Sequence, residues 1–503
     1  MDHVLAVTTL LADWQVILSI LLASAFGLFV GAVPGLSATM ATALLVPITF
    51  FMPPLVSVAA IVSCAAMAIT AGDIPSCLLR IPGTPASAAY TDEAYAMTQR
   101  GQPELALGIS IVCSMLGGVF GSLVLMTAAP ALAGIAIQFS SFEYFWLASI
   151  GLSCAALIGS SDRVKGVLSL VFGLFISCIG LDVMSGQPRF TFGVVELLGG
   201  ISFIPVMIGM FAMSEIIKSL VSGDVDLPPL GQGRKLGPIL AGVGTVTKRY
   251  WRNVMRGNVM GTVVGILPGA GGDIAAWISY GLAKRMSKTP EKFGTGHPEG
   301  IIEATSANNA GLSGAWVPAL VFGIPGDAIT AITIGVLFMK GLDPGPRLFT
   351  EQPDMLYAIF AIFLIANLLM VPFGVLAVRA ARHILSIPRA YLMAIILLFC
   401  IVGSFAINNT VFDVGTMLVT GIIAFGLERL GFPLAPIILG MVLGPILEQN
   451  FMTSMLIADG DLLAFFDRPV AAVLGIVVLG IWFLPVLFRT VRRVWDAAIW
   501  KRA

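Results

Sequence analysis

The chain has 503 residues, of which 57% are hydrophobic and 11% are charged. Soluble domains carry roughly 25% charged residues, so this composition excludes an ordinary soluble protein and predicts an all-α polytopic membrane protein. The 28 basic residues balance the 28 acidic ones, and no basic stretch is interleaved with aromatic residues, so nucleic-acid binding is not expected.

Apolar segments predict a series of helices along the chain. In chain order they fall near 14–33, 36–52, 55–72, 106–132, 143–160, 164–182, 196–217, 256–285, 301–317, 328–340, 354–379, 390–407, 412–428, 433–447 and 470–489. A helix needs about 20 residues to cross a hydrocarbon core of about 30 Å, and several segments are shorter. We therefore expect about 10–12 transmembrane helices together with broken or re-entrant helices.

Basic residues concentrate in three polar stretches, 219–256, 284–292 and 489–502. Cytoplasmic loops are enriched in Lys and Arg, so these stretches, including the C-terminus, are predicted to be cytoplasmic. The first basic residue is Arg80. The N-terminus therefore lacks the basic region of a cleaved signal peptide and is predicted to lie outside.

The stretch "GILPGAGGDIAAW", which begins at Gly265, places helix-breaking residues inside an apolar segment. Each arm beside "PGAGG" has about 11 residues, or about 16 Å of helix, which is half a membrane. Basic residues flank both arms, so the segment is predicted to enter the membrane, turn and return. Irregular backbone inside a membrane must face protein or a water-filled cavity, so the break predicts a cavity.

Two motifs occur twice in the same order. The stretch "GAVPGLSATMATALLVP" aligns with the break, pairing Gly31, Pro34 and Gly35 with Gly265, Pro268 and Gly269. The stretches "DIPSCLLRIPGTPAS" and "WVPALVFGIPGDAIT" form a second pair, which aligns Pro75, Ile81, Pro82 and Gly83 with Pro318, Ile324, Pro325 and Gly326. This order predicts an internal duplication.

Basic residues flank the second hairpin but not the first, which predicts two inverted-topology repeats. The predicted organisation is a first transmembrane repeat over 1–218, a cytoplasmic basic loop over 219–255, a second repeat over 256–469, and a terminal helix with a basic tail over 470–503. Such repeats with broken helices are typical of secondary transporters, whose helix N-termini favour anions and whose unwound carbonyls suit Na⁺.

Four stretches carry a family resemblance: "GAVPGLSATMATALLVPITF", "GILPGAGGDIAAWISYGLAKR", "GTGHPEGIIEATSANNAGLSGAWVPALVFGIPGD" and "GLDPGP". Over nearly its whole length the chain resembles the large membrane subunit of the tripartite tricarboxylate transporters. The resemblance implies a bacterial inner-membrane protein that works with a small four-helix membrane subunit and a periplasmic solute-binding protein. It implies uptake of a di- or tricarboxylate, citrate-like, driven by a Na⁺ or H⁺ gradient and without a cofactor. The absence of a Walker A motif agrees with transport that does not use ATP.

The predicted substrate contacts lie in both pairs of motifs. They are Pro34, Gly35, Ser37, Arg80, Pro82, Gly83, Thr84, Pro268, Gly269, Gly271 and Gly272. We expect Arg80, Thr84 and the N–H groups that follow Pro82 and Pro268 to face the carboxylate, since Arg grips a carboxylate through two parallel hydrogen bonds. The alternative for Arg80 is a charge that only sets topology at the cytoplasmic edge.

The predicted cation-coupling residues are Asp73, Asp273, Asn308, Asn309, Ser313, Gly326 and Asp327, with Na⁺ near Asn308, Asn309 and Asp327. Carboxylates inside a membrane are functional candidates by default, but each Asp is equally well explained as a helix N-cap. Thr305, Asn309 and Ser313 share one helix face, which is explained either by a cavity lining or by hydrogen bonds between helices.

Two other functions fit parts of the sequence. A passive anion channel is the main alternative to a transporter. The "GLSG" around Ser313 matches an intramembrane serine protease, but such an enzyme needs a His to activate the Ser. The one downstream candidate, His383, lies in a basic interfacial cluster, so we do not expect an enzyme.

Overall fold

The computed structural model describes residues 2–157, 162–182, 184–222, 237–385 and 389–483. All contacts and absences below concern these residues. Arg234, Lys235 and the tail from Arg489 onward lie outside them, so the cytoplasmic position of these residues stays a prediction.

Helices make up most of the described chain. The first half contains α1 (Asp2–Leu11), α2 (Trp14–Ala32), α3 (Ala38–Thr49), α4 (Pro54–Ala71), α5 (Asp73–Leu79), α6 (Thr91–Gln99), α7 (Pro103–Ala136), α8 (Ser141–Leu157), α9 (Arg163–Ser177), α10 (Phe203–Ile208) and α11 (Ser214–Ser222). The second half contains α12 (Val243–Arg249), α13 (Trp251–Ile266), α14 (Gly271–Met286), α15 (Pro298–Phe322), α16 (Ala328–Met339), α17 (Pro346–Glu351), α18 (Pro353–Leu385), α19 (Arg389–Asn408), α20 (Val411–Arg429), α21 (Ala435–Ile457) and α22 (Pro469–Phe483). Two short strands, β1 (Gly180–Leu181) and β2 (Pro188–Arg189), pair antiparallel.

Eight helices in the described residues are long and apolar enough to cross a membrane, and four shorter ones are also apolar. The longer ones include Pro54–Leu79, which combines α4 and α5 and is buried over its whole apolar window. The prediction of an all-α polytopic membrane protein is confirmed. The predicted segment 196–217 is irregular, because a π-helical turn at Gly209–Met213 separates α10 from α11. Gly209 lies there against the backbone of α20, where an added Cβ would be 2.4 Å from the Met417 carbonyl.

The predicted helix breaks are present in both repeats and have the same local geometry. Residues 33–37 separate α2 from α3, and residues 267–270 separate α13 from α14. Gly35 and Gly269 both have positive φ, at 92° and 80°. Equivalent turn hydrogen bonds of 3.1 Å run from the N–H groups of Val33, Leu36, Leu267 and Ala270 to the carbonyls of Val30, Val33, Val264 and Leu267, respectively.

Each broken helix packs through glycine against a long helix that runs parallel to it. An added Cβ at Gly27 or Gly31 in α2 would lie 2.4 or 2.3 Å from carbonyl oxygens of α4. The equivalent Gly261 and Gly265 in α13 would clash in the same way with α15, at 2.2 and 2.3 Å. Small residues allow such close approach of membrane helices, so glycine fixes the same helix pair twice.

The second motif also has one geometry in both repeats. Arg80 ends α5 and Gly323 ends α15, both in the left-handed region with φ of 59° and 67°. The next N–H groups, of Ile81 and Ile324, donate to Pro75 and Pro318 at 3.3 and 3.2 Å. This agreement supports the duplication that the sequence predicts, while the opposite orientation of the repeats stays a prediction.

The glycine contact between α13 and α15 gives a test of stability. We expect Gly261→Ala to lower the thermal unfolding midpoint of the detergent-purified protein, because overpacking costs about 1–3 kcal/mol and backbone cannot move aside cheaply. Gly281→Ala is the matched control, since an added Cβ there meets nothing within 4 Å. Equal midpoints for the two variants would contradict this packing.

Candidate functional site

The two breaks of the second repeat meet at their tips. The Gly269 N–H donates to the Gly326 carbonyl at 2.7 Å, and this bond joins the loop before α14 to the loop before α16. Gly271 has a φ of 60°, and a Cβ there would lie 2.7 Å from the Asp327 Cβ. The two half-helices α14 and α16 therefore begin at the same place. Each directs the positive end of its helix dipole toward that place.

Asp327 is the N-cap of α16. Its Oδ1 accepts from the Thr330 N–H at 2.7 Å, and the Thr330 hydroxyl accepts in return from the Asp327 N–H at 2.8 Å. Its other oxygen, Oδ2, lies 3.2 Å from the position of a Cβ at Gly271. One carboxylate oxygen thus caps the helix while the other faces the Gly-rich tip, so the cap and the cation site are compatible functions.

Asn308 contributes an unpaired oxygen to the same place. Its side chain is 2% exposed, and its Oδ1 has no hydrogen-bond partner among the described residues. A Cβ at Gly272 would lie 2.9 Å from this oxygen. An unpaired buried acceptor costs about 1–3 kcal/mol, so it marks a position that a ligand would stabilise.

The other members of the predicted polar stripe bond to neighbouring helices or to their own. The Asn309 Nδ2 donates to the Thr70 hydroxyl of α4 at 3.3 Å. The Ser313 hydroxyl is buried and donates to the Gly118 carbonyl of α7 at 3.5 Å. Thr305 donates to the Ile301 carbonyl of its own helix at 2.8 Å. The structure therefore places Asn308 and Asp327 beside the tip, whereas Asn309 and Ser313 hold α15 against α4 and α7.

Asp273 links the second hairpin to the first repeat. It lies in the first turn of α14, is exposed, and accepts from the Ala86 N–H at 3.1 Å. The Trp277 indole donates to the Pro85 carbonyl at 3.0 Å. The loop after α5 therefore reaches the α14 end of the predicted site.

Asp73 belongs to a different cluster from the tip. It is 4% exposed and accepts from the Tyr90 hydroxyl at 2.5 Å and from the Ser110 hydroxyl. These two bonds tie α5 to α7 and to the residue that precedes α6. Asp73 is thus held by hydroxyl donors of its own repeat.

The predicted anion donors have partners within the protein. The exposed Arg80 donates through Nε and pairs through Nη2 with one oxygen of Asp92, at 3.0 and 2.9 Å. The Gly83 N–H donates to the Gly72 carbonyl at 3.2 Å, as Gly269 does to Gly326 at 2.7 Å. In this structure the Gly83 and Gly269 N–H groups are bonded within the protein, so the contact of the N–H groups after Pro82 and Pro268 with the anion stays a prediction.

The two tips differ in their charge. The positions of the first repeat that match Asp273, Asn308 and Asp327 are Thr39, Ala65 and Thr84, so none of them carries a carboxylate. Thr84 makes the same local bond as Asp327, since its Oγ1 accepts from the N–H three residues later, that of Ser87, at 3.2 Å. Ser37 caps α3 by accepting from the Met40 N–H at 3.1 Å, and α3 has no acidic residue in its first turn. Carboxylates therefore neutralise the positive ends of the helix dipoles only at the tip of the second repeat.

A buried carboxylate that the sequence does not single out joins the repeats on their other side. Glu93 of α6 is 0% exposed and accepts from the N–H groups of Gly294, Gly296 and His297 at 2.5, 2.7 and 2.7 Å. The Tyr280 hydroxyl donates to it at 3.2 Å. The Gly-rich "GTGH" before α15 was the available signal, since successive backbone N–H groups form an anion-binding nest.

These features define a class of protein: a multi-pass α-helical membrane protein with duplicated broken helices around a polar centre. Comparison with known families identifies the family of this chain. The model of the tripartite tricarboxylate transporter TctA family matches residues 17–439, and the chain belongs to this family. Members of the family are components of transport systems, which agrees with the expectation of a transporter subunit.

Two relatives come from Agrobacterium vitis. An uncharacterized 52.8 kDa protein in the TAR-I ttuC' 3'region is 35% identical over 462 residues, which cover 91% of each chain. An uncharacterized protein in the TAR-II ttuC' 3'region is 38% identical over 228 residues, or 45% of this chain and 94% of the relative. No solved structure matches the chain.

The Glu93 contacts predict a local effect of substitution. Glu93→Gln removes the charge that three N–H groups share, and bonds to a charged group contribute about 1.5–3 kcal/mol. We expect hydrogen exchange at Gly294, Gly296 and His297 to become at least about tenfold faster, measured by mass spectrometry. Glu291→Gln, an exposed neighbour, is the control. Unchanged protection in Glu93→Gln would show that these bonds do not hold the loop.

Proposed function

We propose that this chain is the large membrane subunit of a secondary active transporter that takes up a di- or tricarboxylate, citrate-like, across the bacterial inner membrane. A small four-helix membrane subunit and a periplasmic solute-binding protein are its proposed partners. Family membership supports the transport function. The observation that carries the ion coupling is the unpaired Asn308 Oδ1 against Gly272, with the Asp327 carboxylate against Gly271, at the meeting of two helix breaks.

The tip of the second repeat, where residues 267–270 meet the loop before α16, is the proposed cation site. Oxygen from Asn308 and Asp327, with Asp273 nearby, matches the ligands that Na⁺ takes in broken-helix transporters. The N–H group of Gly269 is already bonded to the Gly326 carbonyl, and the side chains at this tip add oxygen acceptors. Na⁺ is therefore preferred here to an anion, with H⁺ carried on a carboxylate as the other possible coupling ion.

The tip of the first repeat, formed by the break at residues 33–37, is the proposed place for the substrate. The α3 N-terminus has Ser37 and the exposed Gly35 but no carboxylate to cancel its dipole. An anion is favoured near such an N-terminus. Thr84 and Arg80 lie in the loop after α5, which contacts α14 through the Ala86 N–H and the Pro85 carbonyl. A bound carboxylate would compete with Asp92 for the Arg80 guanidinium.

Contacts at the ends of the hairpins support opposite orientations for the repeats. The return arm α3 ends beside Lys340, whose Nζ donates to the Phe50 and Met52 carbonyls at 2.7 Å each. The return arm α14 leads instead to the loop that Glu93 binds, at the start of α15. The 25 residues of α15 separate these two ends by about 37 Å, which exceeds the hydrocarbon core.

Charge then assigns the two sides. Lys284 and Arg285 lie in the last turn of α14, and Lys248 and Arg249 lie in the last turn of α12. The positive-inside rule puts this end, with Glu93 and the start of α15, in the cytoplasm. The loop after α3 is then periplasmic.

Asp327→Thr separates the cation function from the helix cap. The first repeat has Thr84 at the matching position, where the hydroxyl accepts from the N–H three residues later as Asp327 does, so the variant should fold. We expect the Na⁺ concentration for half-maximal uptake to rise at least about tenfold, since a lost charged ligand costs about 1.4 kcal/mol or more.

The measurement is counterflow of labelled citrate in proteoliposomes that contain all three components, with Na⁺ gradients imposed. Normal expression with unchanged Na⁺ dependence would remove Asp327 from the cation site. Flux that does not depend on the gradient in the wild type would identify a passive channel instead.

Arg80→Lys tests the substrate contact. Lys keeps the positive charge but cannot form two parallel hydrogen bonds to a carboxylate. We expect the apparent KM for the carboxylate to rise roughly tenfold while expression stays normal. The paired variant Asp92→Asn, which frees the guanidinium, should not raise KM. If Arg80→Lys transports with unchanged KM, Arg80 only sets topology.

A further inference from the structure

An apolar groove runs along the outside of the helices, away from the paired breaks. Its volume is about 940 Å³, and it lies between α7, α12 and the start of α13. One wall consists of apolar side chains of α7, and the other includes Gly244, Lys248, Trp251 and Met255. Leu123 and Met255 are 50% and 42% exposed, so the open side of the groove presents apolar surface.

The length of the groove matches one leaflet of a bilayer. It follows α7 from Val112 to Leu123, which is about 16 Å at the rise of an α-helix. Half of a hydrocarbon core measures about 15 Å. A transmembrane helix of a partner would need a groove of about 30 Å, twice this length. The dimension therefore favours an acyl chain over a spanning helix.

One end of the groove is basic and aromatic. Lys248 is exposed and forms no ion pair with another described residue. Trp251 is 57% exposed, and the Arg252 guanidinium lies 5.7 Å from its ring centroid. Trp and basic residues at a membrane interface bind headgroups, and basic pockets on the cytoplasmic side favour anionic lipids.

We propose that this groove binds one anionic phospholipid of the cytoplasmic leaflet. Its acyl chain lies along α7 between Val112 and Leu123, and its phosphate binds Lys248 beside Trp251. The lipid would fix α12 and α13 against α7, and α13 leads directly to the break at residues 267–270. The site does not depend on which carboxylate is carried.

Two pairs of variants test the site by native mass spectrometry of the purified chain with added phosphatidylglycerol or phosphatidylcholine of the same chain length. Lys248→Gln should weaken phosphatidylglycerol binding roughly fivefold and leave phosphatidylcholine unchanged. Lys288→Gln, which removes an exposed charge outside the groove, should bind both lipids as the wild type does.

Gly244→Leu should block the groove itself. A Cβ at Gly244 meets nothing within 4 Å, so the side chain enters open space without disturbing the fold. We expect it to abolish retention of phosphatidylglycerol, whereas Gly281→Leu, at another open helix position, should not. Wild-type lipid binding by Gly244→Leu, or equal binding of the two lipids by the wild type, would overturn the proposal.

Discussion

The structure depends on one constraint: a helix that stops inside a membrane leaves backbone N–H and carbonyl groups that the lipid cannot satisfy. The protein meets it by bringing two breaks together, so that the Gly269 N–H bonds the Gly326 carbonyl. That bond requires close approach of backbone, and glycine at 261, 265, 271 and 272 permits it. The glycine contacts repeat between α2 and α4. The close helix packing and the meeting of the two breaks thus serve a single requirement of the backbone.

The side chains at the two tips differ. Where the loops close, the Gly83 and Gly269 N–H groups are bonded within the protein, and the side chains determine the charge at each tip. The second repeat adds Asp273, Asn308 and Asp327, so its tip offers oxygen acceptors. The first repeat has Thr39, Ala65 and Thr84 at those positions, all of them uncharged, so the dipole of α3 is not opposed. If the two copies began with equivalent tips, these differences in side chains would give one proposed place for a cation and another for an anion.

The sequence predicted the features that depend on local chemistry. Gly and Pro in apolar segments located both breaks, and their spacing aligned the repeats, because backbone conformation at such residues is set by near neighbours. It could not predict contacts between distant segments. The Glu93 carboxylate reaches a loop about 200 residues away, and Asp73 finds hydroxyls on Tyr90 and Ser110. The pairing of Arg80 with Asp92 was also hidden, since it depends on how the loop folds back. Asn308 and Asn309 are neighbours in sequence. Tertiary packing alone determines that the Asn308 Oδ1 is unpaired whereas the Asn309 side chain bonds to Thr70.

The central claim is that the two repeats face opposite sides of the membrane around one polar centre. Single cysteines at the ends of the return arms test it most directly: Phe51→Cys after α3 and Met286→Cys at the end of α14, which are 75% and 58% exposed in the native chain. The measurement is labelling of intact cells, before and after permeabilisation of the inner membrane, with a thiol reagent that crosses only the outer membrane. The account predicts that Phe51→Cys reacts in intact cells and that Met286→Cys reacts only after permeabilisation. Labelling of both cysteines from the same side would contradict it.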